Sequence, residues 1–113
     1  MNAETADCRL AVYGSLAPGR VNHHQLDGVA GEWCTGQVRG KLFATGGGST
    51  LGYPGLILNP DGPVVEVEVL ISLDLPDHWE RLDRFEGAGY RRVITPALID
   101  GVEIEANIYT VVV

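Results

Sequence analysis

A chain of 113 residues, 45% hydrophobic and 20% charged, has the composition of one soluble globular domain, able to bury about two-thirds of its unfolded surface around a single core. The formal net charge of -7, with no basic run beyond Arg91-Arg92, argues against a nucleic-acid partner, because phosphate binding needs clustered cations. The N-terminal stretch MNAETADCRLAVYG has acidic residues and no signal-peptide apolar core, and no apolar run exceeds strand length. The expectation is therefore a cytoplasmic protein of one domain, 1 to 113, with no membrane attachment and no obligate protein partner evident.

In chain order, residues 9 to 13 (RLAVY) read as a short strand ending at Gly14. A Pro18-Gly19 turn and a short helix around residues 22 to 26 follow. Residues 33 to 45 alternate loosely, with Gly36 and Gly40 suggesting a bent or bulged strand before the glycine turn at 46 to 48. Two further strands are expected over residues 56 to 58 and 64 to 73, the second strongly β-branched. A helix is predicted over residues 75 to 87, with Asp74 as its cap, Pro76 in its first turn and Gly87 as its stop. Asp100-Gly101 is a favoured type I′ turn between RRVITPALI and VEIEANIYTVVV. Counting outward from Ile99 opposite Val102 puts Arg92 opposite Tyr109 and Tyr90 opposite Val111, so Tyr90, Arg92 and Tyr109 share one face unless Pro96 introduces a bulge. Five or six strands with two helices make this an α+β domain whose sheet curls toward a barrel. Cys8 and Cys34 fall on separate strand-like segments, and two buried thiols are favoured over a disulfide in a reducing compartment.

Within the predicted helix, Glu86 falls in the apolar stripe of Leu75, Trp79, Leu82 and Phe85, whereas Asp77, Glu80, Arg81 and Arg84 point elsewhere. An apolar environment and a helix C-terminus both penalise a carboxylate's charge and raise its pKa, which makes Glu86 a candidate base near neutral pH. A terminal glutamate beside glycine can also turn outward, and both readings stay open. The loop Tyr13-Gly14-Ser15-Leu16 follows the first strand, where consecutive backbone N–H groups can cradle an anion, although such a sequence is also an ordinary turn. Ser15 lacks the G-x-S-x-G elbow of a nucleophile. His23 and His24 are adjacent and His78 stands apart, which gives no metal-ligand spacing, and Gly46-Gly47-Gly48-Ser49-Thr50 lacks a phosphate loop's lysine.

Taken as an ordered set, YGSL at 13 to 16, VRGKLF at 38 to 43, GYPGLIL at 52 to 58, VEVEVL at 65 to 70, LDRFEG at 82 to 87 and YRRV at 90 to 93 resemble the γ-glutamylcyclotransferase-like superfamily, in particular its small bacterial and plant members and the γ-glutamylamine cyclotransferases. The resemblance implies a small mixed β-barrel flanked by short helices. It implies Glu86 as the catalytic acid/base, the backbone amides of Tyr13, Gly14, Ser15 and Leu16 as holders of the γ-glutamyl group, and Tyr90 as a wall of the same pocket. The implied substrate is a small γ-glutamyl compound, a γ-glutamylamine or γ-glutamyl amino acid, cyclised to 5-oxoproline without metal or organic cofactor. Val67-Glu68-Val69-Leu70 departs from the usual G-E-[LV]-[YF], and Glu68 is either a second carboxylate near the site or a solvated strand residue. Ala17-Pro18-Gly19 lacks the aromatic insertion of the glutathione-specific branch, so glutathione is not the leading substrate. Arg91 or Arg92 could meet a substrate carboxylate, only one of them facing inward. A non-catalytic module binding a small carboxylated metabolite in the same cavity is the alternative. The leaving amine, the role of Tyr109 and the oligomeric state are open.

Overall fold

The architecture was obtained as a computed structural model that describes residues 5–13, 26, 28–44 and 54–112. The C-terminal hairpin follows directly from its turn. Asp100 and Gly101 both take positive φ, 51° and 78°, the pair of left-handed residues that a type I′ turn requires. Strands β5 (Tyr90–Ile99) and β6 (Val102–Val111) then pair without interruption, Ile99 opposite Val102, Arg92 opposite Tyr109 and Tyr90 opposite Val111. Pro96 pairs with Glu105 and adds no bulge. A proline is tolerated there because β5 meets a second neighbour only at Leu98.

The remaining strands are β1 (Arg9–Val12), β2 (Glu32–Ala44), β3 (Pro54–Leu58) and β4 (Val64–Ile71). Their spatial order is β3-β2-β4-β1-β6-β5, and β5 returns to β2 through Gln37 and Leu98. Five strands thus close into a barrel with β3 attached to β2, and one parallel pair, β1 with β6, makes it mixed. Strand β2 serves two partners, pairing with β4 from Glu32 to Arg39 and with β3 from Gly40 to Ala44. Gly40 sits where they change over, and a Cβ there would stand 2.5 Å from the Ile57 carbonyl oxygen. The glycine predicted as a bend therefore permits a close backbone approach.

Two apolar clusters lie on the two sides of the wall. Ala11, Val38, Leu56, Val65, Val67, Val69, Ala97, Ala106 and Ile108 come from all six strands and fill the inside. On the outer side Leu10, Val12, Leu70 and Tyr109 pack with Leu26, Val29, Leu75, Trp79 and Leu82. Strand β1 and residues Ala106–Thr110 of β6 are covered on both faces, and every residue there is buried.

The predicted helix is divided. Leu75–Asp77 form a 3-10 turn, closed by the His78 N–H on the Leu75 carbonyl at 2.8 Å, and the α-helix proper, α1, runs from Trp79 to Glu86. Asp74 makes no side-chain cap, and the Ser72 hydroxyl accepts the Asp74 N–H instead, at 3.0 Å. Cys8 closes a second 3-10 turn, Ala6–Cys8, rather than lying on a strand. Both Cys8 and Cys34 are free thiols. Of the helix expected around residues 22 to 26 only Leu26 is described, and it is buried; residues 22 to 25 and the glycine turn at 46 to 48 lie outside the described residues. Among the described residues no helix is long and apolar enough to cross a membrane.

Candidate functional site

Helix α1 has only eight residues, and its inner face carries Trp79, Leu82 and Glu86. Leu82 is fully buried and Trp79 nearly so. Four residues beyond Leu82, Glu86 follows the same face inward and is half-buried. Phe85, expected in the apolar stripe, is instead exposed at 36%, because it lies about 100° round the helix from Glu86. The last turn therefore shelters its acid and presents its aromatic ring to water. Burial raises the Glu86 carboxyl above the ordinary glutamate range, to about 7.

The chain next turns sharply back. Gly87 takes φ 82° and ψ -175°, an extended conformation of inverted hand that strains any residue with a Cβ. Its N–H bonds the Asp83 carbonyl at 3.1 Å, and the Tyr90 N–H bonds the Gly87 carbonyl at 3.2 Å. This tight return starts β5 beside the end of α1, and half-buried Tyr90 packs against the outer cluster. Across the site, the Tyr13 hydroxyl at the end of β1 donates to the Tyr109 carbonyl at 2.6 Å. Burial, and then the charges of Tyr90 and Glu86, raise the Tyr13 phenol above its usual range. Burial likewise raises Tyr109, with further contributions from Asp83 and Glu86. Glu86, Tyr13, Tyr90 and Tyr109 thus share one electrostatic neighbourhood, and both phenols remain neutral hydrogen-bonding groups at physiological pH. Gly14, Ser15 and Leu16, predicted to complete the anion cradle, lie outside the described residues, as do His23 and His24.

Arg92 shares the outer, helix-covered face of the wall with Tyr109, as the register requires, but it is committed to protein partners. Its Nε and Nη2 donate to Asp83 Oδ1 and Oδ2 at 2.8 and 3.2 Å, and its Nη1 donates to Asn107 Oδ1 at 2.9 Å. The guanidinium stacks 4.3 Å from the Trp79 ring centroid. Tyr109 adds a third bond to the same carboxylate, its hydroxyl donating to Asp83 Oδ1 at 2.7 Å. Burial alone would raise the Asp83 pKa, but these hydrogen bonds from Arg92 and Tyr109 outweigh it and hold the group below its usual range. Arg91 lies on the opposite face of β5 and is exposed. Glu68 stands opposite Val12 and Thr35, and its carboxylate accepts a long 3.5 Å bond from the Thr35 hydroxyl. His78 precedes α1, with its Nδ1 3.1 Å from Arg81 Nη2.

Asp83 is the site residue that the sequence reading passed over. It precedes Glu86 by three positions on the helix, and Arg92 was already paired with Tyr109 on the facing hairpin, so spacing and register together held the signal. A groove of about 410 Å³ elsewhere, lined by Gln37, Arg39, Leu58, Val64, Leu98 and Glu103 among others, follows the seam where β2 meets β5. It contains none of these groups.

A closed mixed barrel with a half-buried carboxylate on its covering helix, close enough to Tyr13 and Tyr109 for its charge to act on both, is the class that fold and geometry define. The family model for "Gamma-glutamyl cyclotransferase, AIG2-like" matches residues 10–112, and the chain belongs to that family. YkqA from Bacillus subtilis is 28% identical, with a TM-score of 0.71 over 92% of this chain. This chain spans only 35% of YkqA's length. An AIG2-like protein from Mus musculus is 24% identical with a TM-score of 0.70, covering 91% of this chain and 76% of its own. An Arabidopsis thaliana protein at 24% identity has a TM-score of 0.69, covering 92% of this chain and 68% of its own. At those identities the last two likenesses speak for the fold alone. No curated protein matches the chain.

Proposed function

We propose that this protein is a γ-glutamyl cyclotransferase that converts a γ-glutamylamine or γ-glutamyl amino acid to 5-oxoproline and a free amine, with Glu86 as general acid/base. The observation that carries the proposal is the half-buried Glu86, raised to about 7 beside Tyr13 and Tyr109. A carboxylate with that pKa can both take and return a proton near neutral pH, a shuttle worth about 10²- to 10⁴-fold in rate.

In this reading the substrate's α-ammonium, with a pKa of about 8, first gives a proton to bulk water and becomes the nucleophilic amine. The amine nitrogen attacks the γ-carbonyl carbon, closing a five-membered ring, and Glu86 takes the proton released from that nitrogen. The bond from the γ-carbon to the leaving nitrogen then breaks as Glu86 returns a proton to it. Both reacting groups belong to one molecule, so the site's main task is to hold the near-attack geometry. Backbone N–H groups of Tyr13, Gly14, Ser15 and Leu16 would hold the anionic end and oppose charge building on the carbonyl oxygen. Tyr90 would form a wall of the same pocket. A module that only bound a carboxylated metabolite would have no need of an acid poised near neutrality, and the burial of Glu86 favours the enzyme over it.

The test is mass-spectrometric detection of 5-oxoproline after incubation with γ-glutamylamines, γ-glutamyl dipeptides and glutathione. Product from the native protein and at least about 10²-fold less from Glu86→Gln is the expected result. No product across the panel would remove the assignment.

A further inference from the structure

Two turns of helix are a short lever on which to mount a catalytic carboxylate. Only Trp79 and Leu82 of α1 are buried apolar anchors, and both precede the turn that carries Glu86. The C-terminal half of the helix is secured by a polar device instead. Asp83 is gripped through both oxygens by Arg92 and through Oδ1 by Tyr109. Those partners are braced in turn. Arg92 is bonded to Asn107 and stacked on Trp79, Asn107 donates its Nδ2 to the Ala6 carbonyl at 2.8 Å, and the Trp79 indole N–H donates to the Asp7 carbonyl at 3.0 Å. One carboxylate on the helix is thereby tied to β5, β6 and the turn before β1.

We propose that Asp83, held by Arg92 and Tyr109, is a positioning residue that fixes the rotation of α1 about its axis and so keeps the Glu86 carboxylate sheltered against the barrel. Residues three apart lie on adjacent parts of one helix face, so fixing Asp83 against the barrel leaves Glu86 little freedom to swing toward water. The inference rests on the proposed reading in its kinetic consequence only. The orientation of Glu86 is measurable without any turnover.

Among the described residues, the ionisable groups linked to Glu86 are Tyr13 just past β1 and Tyr109 of β6, and Tyr90 and Arg92 of β5 and Asp83 on its own helix are linked to those two. Simple charge effects and positioning make opposite predictions for Arg92 and the same prediction for Asp83, so Arg92 is the discriminating variant. Removing the Arg92 cation would by Coulomb's law raise the Glu86 midpoint, and removing the Asp83 anion would lower it. Release of Glu86 to solvent lowers the midpoint in both cases.

The experiment is carboxyl ¹³C NMR titration of Glu86, assigned with Glu86→Gln, in the native protein, Arg92→Gln, Asp83→Asn and Tyr109→Phe, alongside kcat and KM for 5-oxoproline formation. The expected result is a fall of about one unit or more in the Glu86 midpoint in both charge variants. A smaller fall is expected in Tyr109→Phe, which removes one bond, alters no charge and keeps the ring's packing should the other two fail to fold. Turnover should drop about 10- to 100-fold, mainly in kcat. A midpoint that rises in Arg92→Gln, or stays put in folded Tyr109→Phe, overturns the proposal. A midpoint that falls as expected in a protein whose native form makes no 5-oxoproline would uphold the positioning role and sink the reaction instead.

Discussion

Phe85 and Glu86 are neighbours in the last turn of α1, yet the ring is exposed and the acid sheltered. That inversion has a thermodynamic signature. In the unfolded chain the Glu86 carboxyl titrates at its ordinary value of 4.5, and in the folded protein at about 7. Between those values the folded state keeps a proton that the unfolded state has released, so stability falls as pH rises through the window and the loss is complete above about pH 7. For a half-buried group with partial solvent access the effect is about 1–3 kcal/mol. Glu86→Gln should therefore match the native protein in urea denaturation at pH 4 and exceed it at pH 8. Equal stability of the two at both pH values would mean that the carboxylate pays no burial cost.

At the scale of the element, the site depends on how α1 ends. Gly87 was legible as a helix stop because glycine is the common residue there. Its conformation, however, belongs to a region that other residues enter at a cost of about 1–3 kcal/mol. Gly87→Ala should lose about that much stability in equilibrium unfolding although its Cβ would meet no atom within 4 Å. Because the same turn starts β5 at Tyr90, the variant should also reduce 5-oxoproline formation. Native-like stability would show that the turn has a second conformation open to alanine. The division of the predicted helix is a related lesson. Leu75 and Trp79 have helical spacing, but the first of them lies in a separate 3-10 turn, which periodicity alone does not distinguish from the start of an α-helix.

The molecule as a whole is closed unevenly. Strand β1 lies between β4 and β6 and is buried on both faces, whereas β2 and β5 meet at the single pair Gln37 and Leu98. Native-state hydrogen exchange should show the slowest amides at Leu10–Val12 and Ala106–Tyr109, opening only with global unfolding. Exchange should be faster on the side of β5 that faces β2. Uniform protection around the barrel would contradict a weak seam.

The sequence by itself determined the local features whose causes are local. The Asp100-Gly101 turn imposed the hairpin register and hence the shared face of Tyr90, Arg92 and Tyr109, and the period of α1 aimed Glu86 inward among apolar neighbours. The ordered motifs also carried the family and with it the barrel. Only the tertiary structure decided which charge on the helix-covered face served which purpose. Arg92, readable from the sequence as a candidate for a substrate carboxylate, is taken up by Asp83 and Asn107. That choice depends on three segments far apart in the chain meeting at one place, and strand alternation can say which way a side chain points but not what it will find there.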